Sequence, residues 1–157
     1  MSYLLSYLLY ALFFLLAYIL QTTWLADWPA RPELLLLVVC FGLSGRAYGG
    51  LLAGLLTGIF LDLANGYGFY NAALYGLLGL LCGFMPVSIF RDFRSLVFVN
   101  MLLGSLLLHG GYAALTRIFL GRFIFVPLPQ YILTLLLNLL FFWLLQFFIK
   151  GKYHIYD

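Results

Sequence analysis

The sequence predicts an all-α membrane protein, a single bundle of about six transmembrane helices. Three observations carry that expectation. Only 8% of the 157 residues are charged and 66% are hydrophobic, whereas a water-soluble domain carries about 25% charge. Apolar runs recur along the chain between short polar turns, and no loop is large enough to house a soluble core. One run carries a ladder of small residues, Gly50, Gly54 and Gly58, continued by Asp62. A spacing of four puts such residues on one face of a helix.

Residues 3–25 form an uncharged apolar run, long enough to span at about 1.5 Å per residue. Tyr3, Tyr7 and Tyr10 mark one end and Trp24 and Trp28 the other, as aromatic belts do. Neither a basic n-region nor a small-residue cleavage site is present, so this segment is expected to remain as a helix. A turn follows, rich in proline. Pro32 suits the first turn of the next helix and Glu33 suits its positive end. That helix, 33–44, is apolar but covers roughly half a bilayer. It is a short span, a re-entrant hairpin with the glycine helix, or a span surrounded by protein; the short span is preferred. Ser44, Gly45 and Arg46 close it.

The glycine ladder lies on the third helix, 47–63. The turn Asn65-Gly66-Tyr67-Gly68 leads to the fourth, 71–89, with Asn71 placed to cap it. Ala72, Gly76, Gly79 and Gly83 give the fourth helix a small face of its own. After a polar loop from Arg91 to Arg94, the fifth helix, 95–119, holds Asn100, Gly104 and Gly111 near one face. Two prolines between 121 and 129 resist helix continuation. The sixth helix, 131–149, contains Asn138, and a short polar tail follows. The whole chain, 1–157, reads as one transmembrane domain without a solenoid-type repeat.

Basic residues in short loops set orientation. With six spans, Arg46, Arg91, Arg94, Lys150 and Lys152 share one side with the N-terminus, against Arg31, Arg117 and Arg122 on the other. The bias puts both termini in the cytoplasm.

On the third helix the ladder leaves one side almost bare backbone, and small-xxx-small spacing lets apolar helices approach closely. Leu55 is expected on a different face. Asp62 has two readings. Intramembrane carboxylates mark function because burying their charge is costly. Alternatively Asp62 sits near the interface and accepts hydrogen bonds from the following loop or Asn71, a role in which Asn would serve almost as well.

Catalytic constellations are nearly absent. His109 and His154 lie far apart and lack a serine, cysteine or carboxylate at motif spacing. His109 is expected to hydrogen-bond another helix. No phosphate loop, HExxH or CxxC occurs. Cys40 and Cys82 read as buried small hydrophobes, with a metal site or disulfide as the weaker alternative. No basic patch would grip nucleic acid. No catalytic residue, metal ligand or cofactor is assigned, and no enzyme is expected.

Arg31-Pro32-Glu33 followed by leucines resembles the opening of the rod shape-determining protein MreD family. So does the order that follows: Gly50, Gly54, Gly58, then Asp62, then Gly66, Gly68 and Asn71, then Gly76 to Gly83. The first helix and the chain beyond Arg94 match in hydropathy alone. The resemblance implies a non-enzymatic subunit in the bacterial cytoplasmic (inner) membrane, part of the machinery for peptidoglycan synthesis and cell shape. It implies an MreC-type single-span partner, and a RodA-type glycan polymerase with its penicillin-binding transpeptidase, reached directly or through that partner. The fold implied is similar to the substrate-binding subunits of energy-coupling-factor transporters. In that class an alanine-xxx-alanine pair on the first helix docks the membrane partner. Here Ala11 is followed by Leu15 and Ala17 by Gln21, so that dock is missing. Gly50, Gly54, Gly58, Gly76, Gly79, Gly83, Asn100, Gly104 and Gly111 are expected to form packing or partner faces. A small-molecule-binding transporter subunit is the alternative reading.

Overall fold

A computed structural model describes residues 2–45, 47–66, 68–90 and 92–148. Arg46, Arg91, Lys150, Lys152 and His154, on which part of the topology and site expectations rest, lie outside them. The described residues form six α-helices and one 3-10 turn, and no strand occurs among them. The helices are α1 (Ser2–Thr22), α2 (Leu34–Leu43), α3 (Ala47–Asn65), α4 (Tyr70–Phe84), α5 (Phe93–Leu120) and α6 (Leu128–Phe148). Two stretches, Phe93–Leu120 and Leu128–Gln146, are long and apolar enough to cross a membrane. The other apolar helices are described over shorter stretches of 10–17 residues.

Local chemistry explains where the helix ends depart from expectation. The first helix closes at Thr22 instead of residue 25. The Thr22 and Thr23 hydroxyls donate to the carbonyls of Tyr18 and Ile19 at 2.8 and 2.6 Å, offering the backbone a local alternative to the next turn. α4 stops at Phe84, short of residue 89, because Pro86 pushes Met85 into an extended conformation, φ −60° and ψ 120°. α6 begins at Leu128 instead of 131. Pro129 falls in its first turn, where a missing N–H costs nothing, so this proline starts the helix rather than delaying it.

The chain divides into two compact units. One comprises Met1–Val38 and Leu128–Asp157, the other Val39–Pro127, and the boundary falls within α2. In the second unit α3 packs along α4, and α4 along α5. The fully buried side chains Leu78, Leu96, Val97 and Met101 lie at its core. In the first unit the buried set includes Ala30, Pro32, Leu36, Leu37 and Asn138, while α1 and α6 each carry an exposed apolar face among the described residues.

Candidate functional site

The α3–α4 pair is a close joint, and its chemistry begins with missing side chains. A Cβ on Gly50 would lie 2.5 Å from the Gly79 carbonyl oxygen. One on Gly54 would collide with the carbonyl of Tyr75, and one on Gly58 with the carbonyl of Asn71 and the Cα of Ala72. The obstacles are backbone atoms, which cannot rotate away. Gly79 reciprocates, since its own Cβ would strike Gly50 O. The ladder is therefore a close antiparallel backbone contact, as its spacing predicts. Gly76 meets the Leu55 side chain instead, with Leu55 Cδ2 2.7 Å from a Cβ placed there. Leu55 thus belongs to this interface and not to a separate face, because i+1 from Gly54 still borders a contact that wide.

Asp62 continues the ladder to the N-terminus of α4. Its Oδ1 accepts from Asn71 N at 3.0 Å and Asn71 Nδ2 at 2.9 Å, and its Oδ2 accepts from Ala72 N at 2.8 Å. Those two N–H groups are among the four that a helix start leaves without partners. Phe69, at the N-cap position, offers no side-chain bond. The expectation that Asn71 caps α4 is corrected: Asn71 lies inside the first turn as a donor, and Asp62 supplies the cap from a neighbouring helix. A carboxylate there also meets the positive end of the α4 dipole. The geometry is that of the structural reading of Asp62. The turn between the helices depends on Gly66, φ +68°, whose N–H returns to Asp62 O at 2.9 Å.

The other end of α4 is also held. Gly45 N–H donates to Cys82 O at 3.2 Å, satisfying a carbonyl of the last turn. Ser44 Oγ donates to Cys40 O at 2.6 Å and accepts from Asn100 Nδ2 at 2.9 Å. Cys40 and Cys82 are both buried and not joined by a disulfide, with sulfurs 4.0 Å apart. Asn100 Oδ1 is buried with no hydrogen-bond partner. Gly104 is buried on the same helix, and Gly111 receives the Leu74 side chain from α4.

In the first unit the Arg31-Pro32-Glu33 segment is tied to α6. Asn138, 0% exposed, accepts from Glu33 N at 2.6 Å through Oδ1 and donates to Glu33 Oε2 at 2.8 Å through Nδ2. Gln21 Oε1 accepts from Leu35 N at 3.3 Å. Pro32 is buried and Arg31 exposed. The start of α2 is thus satisfied by side chains of α1 and α6, as the start of α4 is by α3. Gln130 Nε2 adds a bond to Pro29 O at 2.7 Å.

These joints settle where the small faces go. The ladder, Gly79 and Gly83 face one another across α3–α4, Gly76 and Gly111 each receive a leucine, and Asn100 and Asn138 are fully buried. Of the packing or partner faces expected at these residues, the ladder, Gly76, Gly79 and Gly111 serve packing within the chain. Sequence reasoning missed Gln21, Ser44 and Gly110. The first two looked like ordinary helix-end polar residues, though a polar side chain in so apolar a chain is itself a signal. Gly110 and Ala114 are exposed on α5, and a Cβ on Gly110 would meet nothing within 4 Å. His109 Nδ1 lies 3.0 Å from Ser105 O on its own helix, so one of its bonds runs within α5. Among the described residues no group of three His, Cys, Asp or Glu could hold a metal ion.

Neither a family model nor a curated protein nor a solved structure matches the chain.

Proposed function

We propose that this chain is a multi-pass, non-enzymatic subunit of the bacterial cell-elongation complex, held in the cytoplasmic membrane with both termini inside. In this reading all six helices lie in the bilayer. An MreC-type single-span protein binds an exposed helix face, and the glycan polymerase and transpeptidase are engaged directly or through it. One observation carries the reading. Seven residues of the family-like pattern, Glu33, Gly50, Gly54, Gly58, Asp62, Asn71 and Gly79, take part in joints between helices. A pattern used for architecture fits a protein that acts through its surface.

The partner does not dock on the ladder, because α4 covers it. It docks on α5, where Gly110 and Ala114 are exposed one turn apart and let a foreign helix come close. Photoreactive residues at Leu106, Gly110 and Ala114 in native membranes are expected to trap a single-span protein. Adducts confined to other helices would move the dock, and no adduct on any helix would end the assembly reading.

One feature favours the transporter-type alternative: the buried Asn100 Oδ1, an acceptor that a polar ligand would satisfy. A vitamin or ion that co-purifies, and is lost on Asn100→Leu, would put that reading first.

A further inference from the structure

Residues 117–127 combine two cations, no acid and a run of large apolar side chains: Arg117, Ile118, Phe119, Leu120, Arg122, Phe123, Ile124, Phe125 and Val126. α5 ends at Leu120 with Gly121, φ +66°, as its C-cap, and the chain continues without regular structure to Pro127. Arg117 Nη1 donates to Gly121 O at 2.9 Å, and its guanidinium carbon stands 4.9 Å from the Phe123 ring centre. Phe123 stacks on Phe125 at 5.4 Å. Nevertheless Ile118, Phe119 and Phe125 remain 72%, 66% and 68% exposed. The rings cluster with each other and with an arginine, and do not turn inward.

We infer that this segment is an interfacial anchor, lying in the phospholipid headgroup layer with Arg117 and Arg122 on lipid phosphates and the aromatic rings at the acyl boundary. The inference rests on the membrane reading of α5. Two constraints place the segment. Irregular backbone cannot face hydrocarbon, because its N–H and C=O groups would go unsatisfied. Water, in turn, disfavours so large a contiguous apolar patch. The headgroup layer meets both demands, hydrating the backbone and shielding the rings. Length agrees. α5 has 28 residues, about 42 Å at the usual rise, against about 30 Å of hydrocarbon, so its end reaches the headgroups. Charge agrees as well, since a guanidinium fork has donors beyond the one on Gly121 O, matched to phosphate oxygens. The patch extends across the same end of the unit: Tyr70 packs on Phe119 at 5.6 Å, and its neighbour Phe69 is exposed.

Depth-dependent quenching tests the anchor. In a background with Trp24, Trp28 and Trp143 replaced by Phe, F125W and L106W are reconstituted separately into vesicles. Those vesicles carry phospholipids brominated high or low on the acyl chain. F125W is expected to lose most intensity to the high bromines and L106W, at the middle of α5, to the low ones. Brominated phosphatidylglycerol is expected to quench F125W more than brominated phosphatidylcholine does, and R117Q with R122Q to abolish that difference without moving the L106W profile. If F125W answers to aqueous acrylamide and to neither bromine depth while L106W is quenched deep, the segment is solvent-facing and open to a protein partner, and the anchor is wrong. If L106W is not quenched by bromine either, α5 is not in the bilayer and the membrane reading falls with it. Equal quenching of F125W by the two lipids removes the role of the arginines in selecting anionic lipid.

Discussion

Asp62 shows how much one side chain decides here. Both of its oxygens accept, and three donors converge on them. Asp62→Asn keeps one acceptor oxygen but turns an amide N–H₂ toward a backbone N–H. The mild effect expected from sequence is therefore replaced by a predicted loss of about 1–3 kcal/mol in stability, the scale of an unsatisfied buried donor. Asp62→Leu leaves every donor unpaired and should cost more than Asn. Reversible unfolding in mixed detergent micelles would read both, and an Asn variant as stable as the parent would discredit the cap. Asn138 makes the comparable case in the first unit. Asn138→Leu removes the acceptor for Glu33 N and the donor to its carboxylate together, for a predicted loss of about 1–3 kcal/mol. Gln21→Leu removes one bond of 3.3 Å and should cost less than Asn138→Leu in the same assay. The reverse order would mean that Leu35, not Glu33, is the anchored end of α2.

At the scale of elements, the glycines of α3 divide sharply from the glycine of α5 that faces outward. Gly54→Leu cannot be absorbed, because the obstacle is the Tyr75 carbonyl and not a movable side chain. Even Gly54→Ala should destabilise by about 1–3 kcal/mol, the usual cost of overpacking. Gly110→Ala should be neutral or stabilising by up to about 1 kcal/mol, since Ala is the better helix former and space is open there. Leu52 and Leu56 are the proper controls for α3, being exposed, whereas Leu55 touches the interface. Protein recovered in membranes, with thermal stability in detergent, distinguishes these variants. Equal tolerance at positions 54 and 110 would contradict the close backbone contact. The two ends of α4 explain why so short a helix holds together: Asp62 caps its start and Gly45 N–H takes a carbonyl at its finish. Isolated helices of about 12–15 residues or fewer are marginal in water, and neighbours supply what propensity does not.

For the whole molecule the test is topology. In the six-span reading proposed above, a cationic bias of Arg46, Arg91, Arg94, Lys150 and Lys152 would put both ends in the cytoplasm. A reporter active only outside the cytoplasm, fused after Asp157, should stay silent, while the same reporter placed between Arg122 and Pro127 should be active. Activity at the C-terminal fusion would require an odd number of spans or the opposite orientation. Five spans are a real competitor. α2 has 10 residues, roughly 15 Å of rise against about 30 Å of hydrocarbon, so it crosses alone only if protein or a thinned bilayer accommodates it.

The sequence by itself determined the helical class, the order of the helices, the ladder as a packing face and Asp62 as an acceptor near Asn71. All of these follow from composition, from the fourfold periodicity of one helix, or from residues close along the chain. Tertiary structure alone decided what those faces meet. Nothing local says that the ladder of α3 is covered by Asn71 to Gly83 rather than left for a partner, since small residues invite any helix equally. The Glu33–Asn138 pair spans 105 positions, and no periodicity links its members. Ser44 and Asn100, 56 positions apart, were each legible as polar residues in an apolar chain but not as each other's partner. Hydrogen bonding is directional and short-ranged, so a donor's identity is written in the sequence while its acceptor is fixed only once the helices have packed.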